Sequence, residues 1–100
     1  LPPMLHGLKL TEAQRDQIFK IMHDQAPALR EKAKQARKAH DELRALTFSG
    51  KYDEAKVKAL AESGASAMAE IAQMRAASAN RIFLLLSPEQ RKKAESFKAD

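Results

Sequence analysis

Apolar residues return every three or four positions through the long proline-free run from Asp53 to Leu86, and this pattern organises the chain. Val57, Leu60, Ala61, Gly64, Ala67, Met68, Ile71, Met74, Ser78, Ile82 and Leu85 fall on one stripe, which is helical spacing. At 1.5 Å per residue the run makes a helix of roughly 50 Å. That is well beyond the ~13 Å radius of gyration of a compact domain of this length, so the pattern predicts an elongated molecule. Turn-forming Ser49, Gly50 and Lys51 precede the run, and Asp53 can cap its first free N–H groups. Pro88 closes it, because a proline pushes the preceding residue, Ser87, out of helical geometry.

The remaining chain divides around this helix. Residues 1–9 hold two prolines, a glycine and the apolar Leu1, Met4, Leu5 and Leu8 without a helical period, and are expected to form a flexible arm. Residues 10–100 are expected to form one helical domain. Thr11 opens its first helix as N-cap, with Gln14 at the third helical position to complete a capping box and Glu12 favourably placed in the helix dipole. Ile18, Ile21, Met22 and Gln25 continue the helix to Ala26. Pro27 predicts a break there, since a proline inside a helix removes a bond and clashes with the preceding turn at a cost of about 3 kcal/mol. A second helix then runs from Pro27 to Leu46, with Leu29, Ala33, Ala36, His40, Leu43 and Leu46 on one stripe. After the long helix, Ser87, Pro88 and Gln90 repeat the capping arrangement and start a short last helix to about Lys98.

Composition narrows the chemistry. One hundred residues bound a single domain. Aromatics are 5% of the chain and tryptophan is absent, so the core is thin and an apolar face is expected either to be shared in a dimer or to remain open. Eighteen Lys and Arg against thirteen Asp and Glu give +5, spread over both halves of the chain. The densest basic run, Arg30 to Arg44, has no aromatic interleaving or recognition motif, and no nucleic-acid partner is expected. Without cysteine neither a disulfide nor a thiolate metal site is available. No apolar stretch approaches the ~20 residues that span a bilayer, so no membrane insertion is expected. The start at Leu1-Pro2-Pro3 reads as a mature or trimmed product, from which any export signal would already have been removed.

No catalytic constellation emerges. Glu12, Asp16, Glu62 and Glu70 are scattered over helix surfaces, and the serines lie at caps or small-residue positions with no histidine at a motif spacing. His6, His23 and His40 form no pair at the four-residue spacing that puts two ligands on one helical face, which leaves only a site assembled across a dimer. The chain reads as a binding protein that needs no cofactor.

The two copies of Leu-(Thr/Ser)-x-x-Gln, Leu10-Thr11 with Gln14 and Leu86-Ser87 with Gln90, stand 76 residues apart in a small basic helical chain. This pattern resembles the LTxxQ (Spy/CpxP) family of periplasmic stress proteins. Leu8-Lys9-Leu10-Thr11-Glu12-Ala13-Gln14 with Gln17-Ile18 and Ile21-Met22 looks like the start of a Spy-type protein. Asn80-Arg81-Ile82-Phe83 and Leu86-Ser87-Pro88-Glu89-Gln90-Arg91 look like its end. The resemblance implies an all-α fold of four helices in an elongated hairpin, paired antiparallel as a cradle-shaped homodimer. It also implies a periplasmic, ATP-independent chaperone whose concave apolar and basic surface holds unfolded or partly folded client proteins. Carried over residue by residue, the client surface comprises Ile18, Met22, Gln25, Leu29, Arg37, Arg75 and Ala79. Ile18, Met22 and Leu29 stand equally well at core spacing. Two other readings stay open: a CpxP-like adaptor of a membrane sensor kinase, and a metal-responsive protein.

Overall fold

The computed structural model describes residues 2–97, and the chain is all-helical over them. A 3-10 turn, Pro3–Leu5, precedes three α-helices: α1, Glu12–Thr47; α2, Glu54–Phe83; and α3, Pro88–Glu95. Leu1 of the expected arm and Lys98 at the expected end of the last helix lie outside the described residues.

The helix ends follow local chemistry. The Gln14 backbone N–H donates to Thr11 Oγ1 at 3.0 Å and the Thr11 N–H donates to Gln14 Oε1 at 2.9 Å, so two otherwise unpaired donors are satisfied at the start of α1. Asp53 Oδ1 accepts the Lys56 N–H at 3.1 Å and starts α2. Ser87 caps α3 with a complete capping box. At the other end of α2 the chain tightens through Leu85 N–H to the Ile82 carbonyl and Leu86 N–H to the Phe83 carbonyl. Arg91 then donates to the carbonyls of Phe83, Leu84 and Leu86, and its guanidinium lies 5.2 Å from the centre of the Phe83 ring.

Pro27 does not break the first helix. It lies inside the 36 residues of α1, so the expected helices 12–26 and 27–46 are one, and the described residues hold three α-helices rather than four. Proline has no N–H for the His23 carbonyl, but Gln25, Ala26, Ala28, Leu29 and Arg30 around it are good helix formers, and its ring is exposed. On the stripe of α1 Ala39 is buried and His40 is exposed. Ala39 follows Ile21 by about five full turns and so lies on the same line of the helix.

Two compact units divide the chain, one made of Leu1–Asp24 with Ala77–Asp100 and the other of Gln25–Ala76. In the terminal unit Leu5, Ile18, Ile21, Ile82, Leu86 and Ala94 form the buried cluster, with Met4, Leu8, Leu10, Met22, Phe83 and Leu85 packed against it. Leu5 is only 2% exposed, so the segment expected to be a mobile arm contributes a core side chain. Gly7 follows it at φ +84°, a conformation that glycine adopts without strain.

The central unit is built from smaller side chains. Ala39, Ala67 and Ile71 are buried. A Cβ placed on Gly64 stands 3.6 Å from the Ala39 Cβ, so these two small residues set the approach of α1 and α2. Lys32 Nζ and Glu70 Oε2 pair at 2.8 Å between the same two helices. Both side chains are partly exposed, which limits such a pair to about 1 kcal/mol or less.

Candidate functional site

Within the terminal unit the two glutamines of the capping boxes meet. Gln14 Nε2 donates to Gln90 Oε1 at 2.8 Å, and Gln90 Nε2 donates to Gln14 Oε1 at 3.2 Å. Each amide uses its second N–H on a backbone carbonyl two residues before the other cap, Gln14 on Leu85 at 3.0 Å and Gln90 on Lys9 at 2.7 Å. Each Oε1 also accepts its own cap's N–H, Thr11 at 2.9 Å and Ser87 at 2.9 Å. Both side chains therefore fill two donor and two acceptor positions, the full capacity of a carboxamide. The pair is a fastening, with no reactive group near it.

The surface that can bind is in the central unit. Residues from α1 and α2 line an open depression of about 480 Å³ whose walls include Ala36, Leu43, Leu60, Ala61, Ala65 and Met68. Arg37 and His40 add a cation and an imidazole to the lining. Small residues at Ala36, Ala61 and Ala65 keep the floor low, while Met68 is 55% exposed and free to adjust. A second, smaller depression of about 430 Å³ lies within the terminal unit, where Ile21, Leu84 and Leu85 are accompanied by Lys20, Arg81 and Gln17. Each unit thus presents apolar surface beside fixed positive charge.

The residues expected to face clients are distributed unevenly. Ile18 is 0% exposed and offers nothing to a client, because its position on α1 points into the cluster with Leu5 and Ile82. Met22 is half-buried against the same cluster, and Ala79 is half-buried in the same unit. In the central unit Leu29 is half-buried, Gln25 is half-buried with an interaction partner of its own, and Arg75 is exposed. Of the seven, Arg37 alone lines the larger depression. Met68, Ala65, Lys20, Arg81 and Leu84 were not among the expected site residues. The signal for the first two was the width of the apolar band on α2: Ala61, Gly64, Ala65, Ala67 and Met68 span more of the helix than one neighbouring helix covers.

Over residues 2–93 the sequence matches the family described as heavy-metal resistance. The chain belongs to the heavy-metal resistance family. This family is related to the Spy/CpxP-like helical proteins, which agrees with the paired Leu-(Thr/Ser)-x-x-Gln motifs. No curated protein and no solved structure matches the chain. A heavy-metal resistance protein invites a test for a metal centre. Among the described residues no group of three or more His, Cys, Asp or Glu side chains is placed to hold a metal ion. His40 is the imidazole in the larger depression, and its companions there are alkyl groups, the Met68 thioether and a guanidinium.

Proposed function

We propose that this protein is a periplasmic, nucleotide-independent chaperone that holds unfolded or partly folded proteins on open apolar and basic surfaces, acting as a homodimer. The observation that carries the reading is the depression in the central unit, whose apolar walls and exposed Met68 stand beside Arg37. Such a surface selects for exposed core segments without demanding a particular shape. Alkyl groups and a thioether give non-directional burial, and a guanidinium draws acidic groups from farther away. Contacts of this kind are individually weak, so a client can release one segment and fold while another is held.

The reading also accounts for membership of a heavy-metal resistance family. Heavy metals coordinate the thiols and imidazoles of other proteins and trap them in partly folded states with apolar segments exposed. A protein that covers those segments confers resistance without being the metal's ligand.

The test is light scattering from a chemically denatured protein diluted into buffer that contains EDTA and no nucleotide. Near-stoichiometric amounts of this chain suppress scattering, and Met68→Glu weakens the suppression while circular dichroism and melting stay unchanged. Unaltered scattering over a wide excess of the chain overturns the reading.

The family description favours a second reading, a metal-responsive protein with a site completed by a partner copy. Stoichiometric binding of Zn(II) or Ni(II) by calorimetry, lost on substitution of His40, supports that reading over the first. An adaptor role is separated from both by tight binding to an acidic sensor domain without any effect on scattering.

A further inference from the structure

The sulfur chemistry of this chain belongs to its four methionines, since it has no cysteine. The fold ranks them. Met4 and Met22 are half-buried and pack against the cluster of the terminal unit, and Met74 is half-buried on α2. Met68 is 55% exposed. A long helical side chain leans back over the preceding turn, and there α2 carries Gly64 and Ala65. These small residues leave the Met68 thioether open to small solutes.

A thioether suits the wall of an apolar depression because it is flexible, polarisable and carries no charge. It is also the one group in that lining that accepts an oxygen atom from a peroxide readily and reversibly. With hydrogen peroxide the sulfur lone pair attacks one peroxide oxygen, the S–O bond forms and the O–O bond breaks. The other oxygen takes up a proton and leaves as water, so the sulfur is oxidised by two electrons and the peroxide is reduced by the same two. The product, methionine sulfoxide, is polar and accepts hydrogen bonds. Once a client covers the depression, the sulfoxide oxygen loses water and faces a lining made mostly of alkyl groups.

We propose that Met68 is a redox-sensitive site at which a peroxide lowers the affinity of the central depression for apolar segments, reversibly and without unfolding the chain. The inference rests on the client-binding reading, whose surface it regulates. The order of exposure separates it from general oxidative damage. The first oxygen falls on a side chain that is mostly in water, where no packing is lost, while the three methionines that contribute to packing are shielded. A sulfoxide on an exposed helix face is also within reach of a methionine sulfoxide reductase, which returns the thioether.

The test exposes the full chain to graded hydrogen peroxide, locates the added oxygen by mass spectrometry of its peptides, and titrates the same samples into a labelled, permanently unfolded polypeptide. Oxygen appears on Met68 before Met4, Met22 and Met74. Affinity falls about tenfold as Met68 converts, while circular dichroism and melting stay unchanged, and methionine sulfoxide reductase restores it. Met68→Leu, whatever its starting affinity, keeps that affinity through the same treatment. Oxidation of another methionine before Met68 overturns the proposal, and so does an equal loss of affinity in Met68→Leu. Binding that survives full conversion of Met68 overturns this inference alone. A chain that fails to bind the polypeptide before any treatment overturns the client-binding reading, and the redox control falls with it.

Discussion

The Gln14 and Gln90 carboxamides hold each other in a reciprocal pair across 76 residues of sequence. Their symmetry explains why glutamine stands at both positions. A helix N-terminus alone accepts Glu as readily as Gln at this place in a capping box, and only an amide also supplies the two N–H donors that join the boxes.

Gln14→Glu therefore keeps the cap and loses the fastening. It removes the donors to Gln90 Oε1 and to the Leu85 carbonyl, and sets a carboxylate against another acceptor. We expect a loss of about 2 kcal/mol in denaturant unfolding. The loss shrinks as the pH falls, because protonating the introduced carboxyl restores one donor. If the glutamine acts only as a cap, the substitution is neutral.

The local halves of this arrangement were legible in the sequence, and the joint between them was not. Thr11 with Gln14 and Ser87 with Gln90 each announce a helix start within a few residues. Which acceptor each Nε2 reaches depends on packing over the full length of the chain, and no periodicity encodes it. Leu5 was missed for a similar reason, since Met4 and Leu5 between the prolines and Gly7 show no helical period, yet Leu5 fits the cluster around Ile18 and Ile82. The error at Pro27 was of another kind. The cost of a helical proline was weighed locally, and the continuous helix on either side outweighs it. Met68 stood on the expected apolar stripe of α2, which did not say whether it is covered, because an open apolar face and a buried one share the same spacing.

Pro27→Ala tests the account of α1. The substitution supplies an N–H for the His23 carbonyl and removes a ring that is exposed, so no packing is lost. We expect stabilisation of about 1–3 kcal/mol, read as a raised melting temperature. Destabilisation contradicts a helix that merely tolerates the proline.

Gly64→Ala tests the close approach in the central unit. The new methyl meets Ala39 at 3.6 Å, an ordinary contact, and alanine is the better helix former. Stabilisation of about 0.5–1 kcal/mol in urea unfolding is expected. A clear loss means that the helices are closer than described.

Ile18→Ala and Met68→Ala separate core from surface. The first opens a cavity in the terminal unit and costs about 3 kcal/mol. The second truncates a side chain that is mostly in water and stays within about 0.5 kcal/mol of the parent. Client binding reverses the order, with Met68→Ala weakening it and any effect of Ile18→Ala following the loss of fold.

The most direct measurement is fluorescence anisotropy of a labelled, permanently unfolded polypeptide titrated with this chain in EDTA. Saturable binding that needs no nucleotide, is weakened at least about fivefold by Met68→Glu and is partly weakened by Arg37→Glu is the predicted result. Absence of binding, or binding that Met68→Glu leaves untouched while the fold is intact, contradicts the assignment of the central depression as the client surface.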